Sequence, residues 1–148
     1  MNGVDSFFVD TNVLLYRFSA IPDEKQRAAG RWLSILWEQS SGRLSWQVVN
    51  EFYSNAVGKL RIPPRIARET VNDLMRWKPE PPIHATIHRA WHWCDTAQVN
   101  FWDALIVAAA EQSGCRWLLS EDFQAGRKFG NLTVVNPFQR APAEFGLS

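Results

Sequence analysis

Four short stretches of this chain carry carboxylates that could act together: Asp10-Thr11-Asn12, Asn50-Glu51-Phe52, Phe101-Trp102-Asp103-Ala104 and Ser120-Glu121-Asp122. If three or four of these acids meet in the fold, they cannot all stay ionised without a cation, because like charges at short range raise one another's pKa. Mg²⁺ or Mn²⁺ is the natural counterion, since both are hard ions that take oxygen ligands. A carboxylate-bound ion of this kind polarises a phosphoryl oxygen and lowers the pKa of a bound water. The chemistry implied is hydrolysis of a phosphodiester bond by water.

Each acid also has a plainer reading. Asp10 lies between the apolar runs Phe7-Phe8-Val9 and Val13-Leu14-Leu15. That is the strand-to-helix junction where open α/β sheets bind ligands, and it is equally a helix N-cap. Asp103 opens a segment, Trp102 to Ala110, that is apolar nearly all round and so should be buried. It either helps Asn100 cap that helix or points into the crevice beside Asp10. Ser120-Glu121-Asp122 repeats the pattern of strand, hydroxyl and acid after Leu118-Leu119, and acids are also common in such turns. Glu51 shares its helical stripe with Gln47, Ser54, Asn55 and Gly58, a pattern that also fits solvent-facing surface.

The elements that would position these acids can be read from periodicity. A first strand and helix are followed by an amphipathic helix over residues 23–39, with Ala28, Trp32, Ile35 and Leu36 at helical spacing. Arg43-Leu44-Ser45 reads as a short strand and Trp46 to Leu60 as a helix; Pro64 opens another that runs to Trp77. Further helices are expected over His84 to Gln98 and, capped by Asn100, from Trp102 to Gln112. Arg116-Trp117-Leu118-Leu119 and Leu132-Thr133-Val134-Val135 read as parallel strands buried on both faces. Strands alternating with helices imply an α/β fold with a helix-flanked parallel sheet. One domain over residues 1–148 is expected, with a core to about residue 138 and a loose tail over 139–148.

Composition narrows the function. With 46% hydrophobic and 21% charged residues the chain is globular rather than disordered. Its start carries Asp5 where a signal peptide needs positive charge, and no apolar run is long enough for a membrane span, so the cytoplasm is the expected compartment. Cys94 and Cys115 have no zinc-like spacing and are expected as two buried free thiols. The formal net charge is +1, but with four acids pooled in one site the remainder carries 16 basic against 11 acidic side chains. His84, His88 and His92 recur every four residues and are the best rival metal site. No acid of the H-E-x-x-H type stands between them, so a polar surface stripe is expected. The eight tryptophans are assigned mainly to the core and to interfaces, with stacking on unpaired bases as the lesser reading, and Lys59, Arg61, Arg65 and Arg68 either grip phosphates or form a solvated helix end.

Taken together, Asp10-Thr11-Asn12, Glu51, Trp102-Asp103-Ala104 and Ser120-Glu121-Asp122 resemble the PIN-domain nucleases, most closely the VapC-type toxins of toxin–antitoxin systems. The resemblance covers nearly the whole chain. It implies a three-layer fold around a parallel sheet, a Mg²⁺- or Mn²⁺-dependent endoribonuclease acting as a toxin, a homodimer, and a small antitoxin that inserts a peptide near the site. Carried over by position, Asp10, Glu51, Asp103 and Asp122 form the acidic quartet, with Asp10 and Asp103 as the foremost metal ligands. Thr11, Asn12 and Ser120 act as helpers. Glu121 is the alternative to Asp122, because a one-residue change of turn exchanges them. Phosphoryl-transfer domains with a D-x-D pair are disfavoured by Asn12. A PIN-like scaffold that binds RNA or protein without cutting is the alternative outside enzymology.

Overall fold

A computed structural model describes residues 5–148. Its centre is a five-stranded sheet of order β2-β1-β3-β5-β4, with β1 Phe7–Val9, β2 Gly42–Arg43, β3 Trp117–Leu119, β4 Lys128–Phe129 and β5 Leu132–Val135. All neighbours run parallel except β4, which pairs antiparallel with β5. Phe7, Phe8 and Val9 are fully buried, as a central strand covered on both faces requires. Six helices flank the sheet: α1 Thr11–Arg17, α2 Glu24–Glu38, α3 Trp46–Gly58, α4 Pro64–Leu74, α5 His84–Ala97 and α6 Phe101–Gln112. Helices α1 to α4 pack on one another, and α5 packs on α6. None of the described helices is long and apolar enough to cross a membrane.

The chain leaves β1 for β2 on one side and later returns to β3 on the other side of β1. That reversal opens a crevice beyond the carboxyl ends of β1 and β3. Residue 10 follows β1 there, and residues 120–122 follow β3. Val9 pairs with Leu119, and the Asp10 N–H donates to the Leu119 carbonyl at 3.0 Å, so the two strand ends are level.

Several boundaries differ from the expectations, each for a local reason. The strand expected at residues 43–45 lies at Gly42–Arg43, because Ser45 is the N-cap of α3 and its hydroxyl accepts from the Val48 N–H. The helix from Pro64 tightens into a 3₁₀ turn over Met75–Trp77. Strand β4 is an addition to the expected elements; Gly130-Asn131, with Gly130 at φ +61°, turns it tightly into β5.

The tail expected to be loose is packed instead. Leu147 is buried, Phe145 meets Phe7 edge-on at 5.6 Å and Trp117 at 5.0 Å, and Pro142–Phe145 forms a 3₁₀ turn. The buried Trp32 indole N–H donates to the carbonyls of Pro137 and Arg140 at 3.1 and 3.0 Å, fixing the chain that leads into the tail. Cys115 is buried but Cys94 only half-buried. Burial pushes the Cys115 thiol up to about 12, so it stays protonated and unreactive.

Candidate active site

Asp10 is 5% exposed and is the N-cap of α1. One carboxylate oxygen accepts from the Thr11 N–H at 2.8 Å; the other accepts from the Ser120 hydroxyl at 2.7 Å and the Asn12 amide at 3.3 Å. The cap and the site are therefore the same residue rather than alternatives. Burial raises its pKa to about 7, against the pull of the Ser120 and Thr11 hydrogen bonds, and the charges of Asp122 and Glu51 push further in the same direction.

Asn12 and Thr11, in the first turn of α1, tie Asp122 and Glu51 to the Asp10 end of the helix. The Asn12 amide donates to Asp122 at 3.0 Å and approaches the Ser120 hydroxyl at 3.2 Å, while its own carbonyl accepts from the Glu121 N–H at 3.4 Å. The Thr11 hydroxyl donates to Glu51 Oε1 at 2.8 Å. Glu51 comes from α3 and is half-buried. The fourth acid, Asp103, sits in the first turn of α6. Its N–H donates to the Asn100 side-chain oxygen at 2.9 Å, and the Asn100 amide returns a bond to its carboxylate at 2.9 Å. Burial raises its pKa, the Asn100 bond opposes this, and Asp122 and Glu51 add to the rise. Asp10 and Asp103 thus each feel the charges of Asp122 and Glu51.

The turn after β3 distinguishes its two acids. Glu121 Oε2 is held by Lys25 Nζ at 2.8 Å, and Lys25 in turn lies over the rings of Tyr16 and Phe138. Asp122 instead faces Asn12 and acts electrostatically on Asp10 and Asp103. Two residues of this region escape the sequence reading as site residues. Lys25 gives no local signal, since its partner is far away in the chain. Gln47 does, because it stands one helical turn before Glu51: its amide approaches Glu51 Oε2 at 3.5 Å and donates to the Trp102 carbonyl at 3.2 Å.

Among the described residues no three carboxylate, imidazole or thiol groups are gathered closely enough to hold a metal ion by themselves. The donor chemistry nonetheless suits a hard divalent ion. All candidate ligands are oxygens, Asp10 is buried with a raised pKa, and no cation figures among the groups acting on Asp10 or Asp103. An ion such as Mg²⁺ keeps several waters and takes only one or two carboxylates from a protein, and Asn12 links the carboxylates of Asp10 and Asp122. His84, His88 and His92 lie on the exposed face of α5. Arg65 pairs with Glu69, and Arg68 lies over Tyr53, in keeping with a solvated surface.

Solved structures share this architecture. The chain is similar to a toxin–antitoxin complex from Klebsiella pneumoniae, with a TM-score of 0.65 and 18% identity over 89% of this chain and 98% of that one. VapBC2 from Rickettsia felis, bound to a DNA fragment from its promoter, gives a TM-score of 0.63 and 15% identity over 88% and 97% of the two chains. VapC20 of Mycobacterium tuberculosis, a toxin that cleaves the sarcin–ricin loop, gives 0.58 and 20% over 79% and 92%. At these identities the likeness is one of fold. No curated protein matches the chain by sequence. The PIN-domain model matches residues 7–128, from the first residue of β1 through the acids after β3 and into β4, and the chain thus belongs to the PIN-domain family.

Proposed function

We propose that this protein is a Mg²⁺- or Mn²⁺-dependent endoribonuclease and the toxin of a toxin–antitoxin pair. The observation that carries this reading is the buried Asp10 carboxylate linked through Asn12 to Asp122 at the sheet edge, with the charges of Asp122 and Glu51 acting on both Asp10 and Asp103. Membership of the PIN-domain family supports it, as do the toxins among the structures of similar fold. The same reading carries a small antitoxin partner, a homodimer and residence in the cytoplasm.

Asp10 and Asp103 are the foremost metal ligands, completed by Asp122 and Glu51. When bound, the ion supplies a polarised phosphoryl oxygen and a water of lowered pKa. The protein's own groups hold the acids in place for this. Ser120 and the Thr11 N–H fix both oxygens of Asp10. Thr11 holds Glu51 by Oε1, and Asn12 keeps Asp122 turned toward Asp10. Lys25 holds Glu121 by its carboxylate, apart from Asn12 and Asp122.

A non-cutting PIN-like scaffold is the second reading, favoured by the lack of a ready-made three-ligand set among the described residues. The two part in one experiment: incubation of antitoxin-free protein with total cellular RNA in Mg²⁺ or Mn²⁺, followed by mapping of new 5′ ends. A small set of ends that disappears with EDTA and with Asp10→Asn is expected. Folded protein that yields no metal-dependent ends overturns the nuclease reading in favour of the scaffold.

A further inference from the structure

The acidic crevice offers oxygen ligands only, yet the chain carries a second set of metal-ligating side chains, the histidines of α5. Imidazole nitrogen suits Zn²⁺, Ni²⁺ and Cu²⁺, whereas Mg²⁺ and Mn²⁺ prefer carboxylate and water. His84, His88 and His92 stand four residues apart and so share one face of the helix. Their rings are not equivalent. His84 and His88 meet edge-on with ring centres 4.7 Å apart, while the His92 ring lies against Trp93 at 4.8 Å. The structure pairs two of the three.

The spacing of that pair suits one shared ion. Zinc bonded at about 2.0–2.1 Å to a nitrogen of each ring would lie about 3.2 Å from each ring centre. Centres 4.7 Å apart subtend roughly 95° at such an ion, a distorted tetrahedral angle. Both imidazoles are exposed, so each can turn about its side-chain bonds to aim a nitrogen. Among the described residues no third histidine, cysteine or carboxylate completes a set with them, and water fills the remaining positions.

The surroundings favour a metal that imidazole binds strongly. Arg89, beside His88 in the chain, is turned onto α6: its guanidinium donates to the two Glu111 oxygens at 3.1 and 3.0 Å and lies 4.6 Å from the centre of the Trp93 ring. Its charge is matched there by Glu111. Buried Thr86 donates to the Gln112 side chain and pins the first turn of α5 against α6, so the pair stands on a packed helix. The positive end of the helix lies beneath His84 and works against any cation held by charge alone. Trp91, half exposed, stands 5.2 Å from the His88 ring.

We propose that His84 and His88 chelate a transition ion, Zn²⁺ foremost, at the start of α5, separately from the carboxylate site. The inference goes beyond the nuclease reading and does not depend on it.

The test is calorimetric titration of tag-free protein with Zn²⁺, repeated with Mn²⁺. Wild type is expected to take up Zn²⁺ in a step that His84→Ala and His88→Ala each weaken at least about tenfold. The double variant should lose no more than either single one, because removal of one ring already ends the chelate. His92→Ala, Cys94→Ser and Asp10→Asn are expected to leave the Zn²⁺ step unchanged, and His84→Ala and His88→Ala to leave Mn²⁺ uptake unchanged. Ni²⁺ is expected to quench a share of the tryptophan fluorescence that Trp91→Phe lacks. The inference is overturned if wild type shows no Zn²⁺ step, or if His84→Ala or His88→Ala, melting like wild type, keeps it. It is also overturned if His92→Ala or Cys94→Ser loses as much, if Trp91→Phe is quenched as fully as wild type, or if Asp10→Asn abolishes the step and so puts the zinc at the carboxylates. Failure in the Zn²⁺ arm leaves the nuclease reading standing. Absent Mn²⁺ uptake beside an intact Zn²⁺ step counts against the nuclease reading alone.

Discussion

Burial of the Asp10 carboxyl has a consequence for stability of measurable sign. Its folded pKa of about 7 lies well above the ordinary 3.8. The folded state therefore holds a proton that the unfolded state has already released, and stability falls as pH rises between those values. The full difference corresponds to at most about 4 kcal/mol. Thermal melts in EDTA are expected to show the wild type losing stability from pH 5 to pH 8. Asp10→Asn should remove most of that slope and melt higher than wild type at pH 8. A wild type that is as stable at pH 8 as at pH 5, with Asp10→Asn showing the same profile, would mean that the Asp10 carboxyl is not strained by burial. Sequence spacing alone identifies Asp10, Asp103 and one of the pair Glu121 and Asp122 as candidates, because each stands at a strand end or helix start. It leaves Glu121 and Asp122 unresolved, since the deciding partners, Lys25 and Asn12, are about a hundred residues away in the chain.

At the scale of elements, the starts of α1 and α6 and the second turn of α3 supply three of the acids, and the turn after β3 the fourth. The α6 start depends on Asn100, whose side chain caps the helix and holds the Asp103 carboxylate. Asn100→Ala is expected to cost about 1 kcal/mol in urea unfolding and to weaken metal binding through the freed Asp103; unchanged stability would show that the cap contributes nothing. The closing segment is the element that periodicity misjudges. Residues 139–148 have no helical or strand repeat; Phe145 docks on Phe7, Trp32 and Trp117 and Leu147 is buried in the core, placements that no local pattern records. Leu147→Ala should cost about 2–4 kcal/mol in the same unfolding experiment while leaving metal affinity unchanged. A loss below about 0.5 kcal/mol, the range of an ordinary surface substitution, would return this segment to the status of a loose tail. The β4 hairpin is legible in principle, because Gly130-Asn131 between short apolar runs is a hairpin turn.

At the scale of the whole molecule, the alternation of strands and helices makes the α/β class and the parallel sheet readable, whereas the strand order follows from long-range pairing that only the structure supplies. The chain's reversal about β1 brings Asp10 and Asp122 to one edge, where Asn12 links them and Thr11 holds Glu51. On the nuclease reading, that gathering serves to bind a divalent cation. Isothermal titration of metal-free protein with Mn²⁺ at pH 8 addresses it most directly, with Asp10→Asn and Asp103→Asn as comparators checked to be folded. Saturable uptake by wild type that is lost or at least about tenfold weaker in both variants, as removal of a direct ligand should produce, is the predicted result. No uptake by folded wild type, or uptake unchanged in both variants, would contradict metal binding at this edge and leave the four acids as helix caps and surface charge.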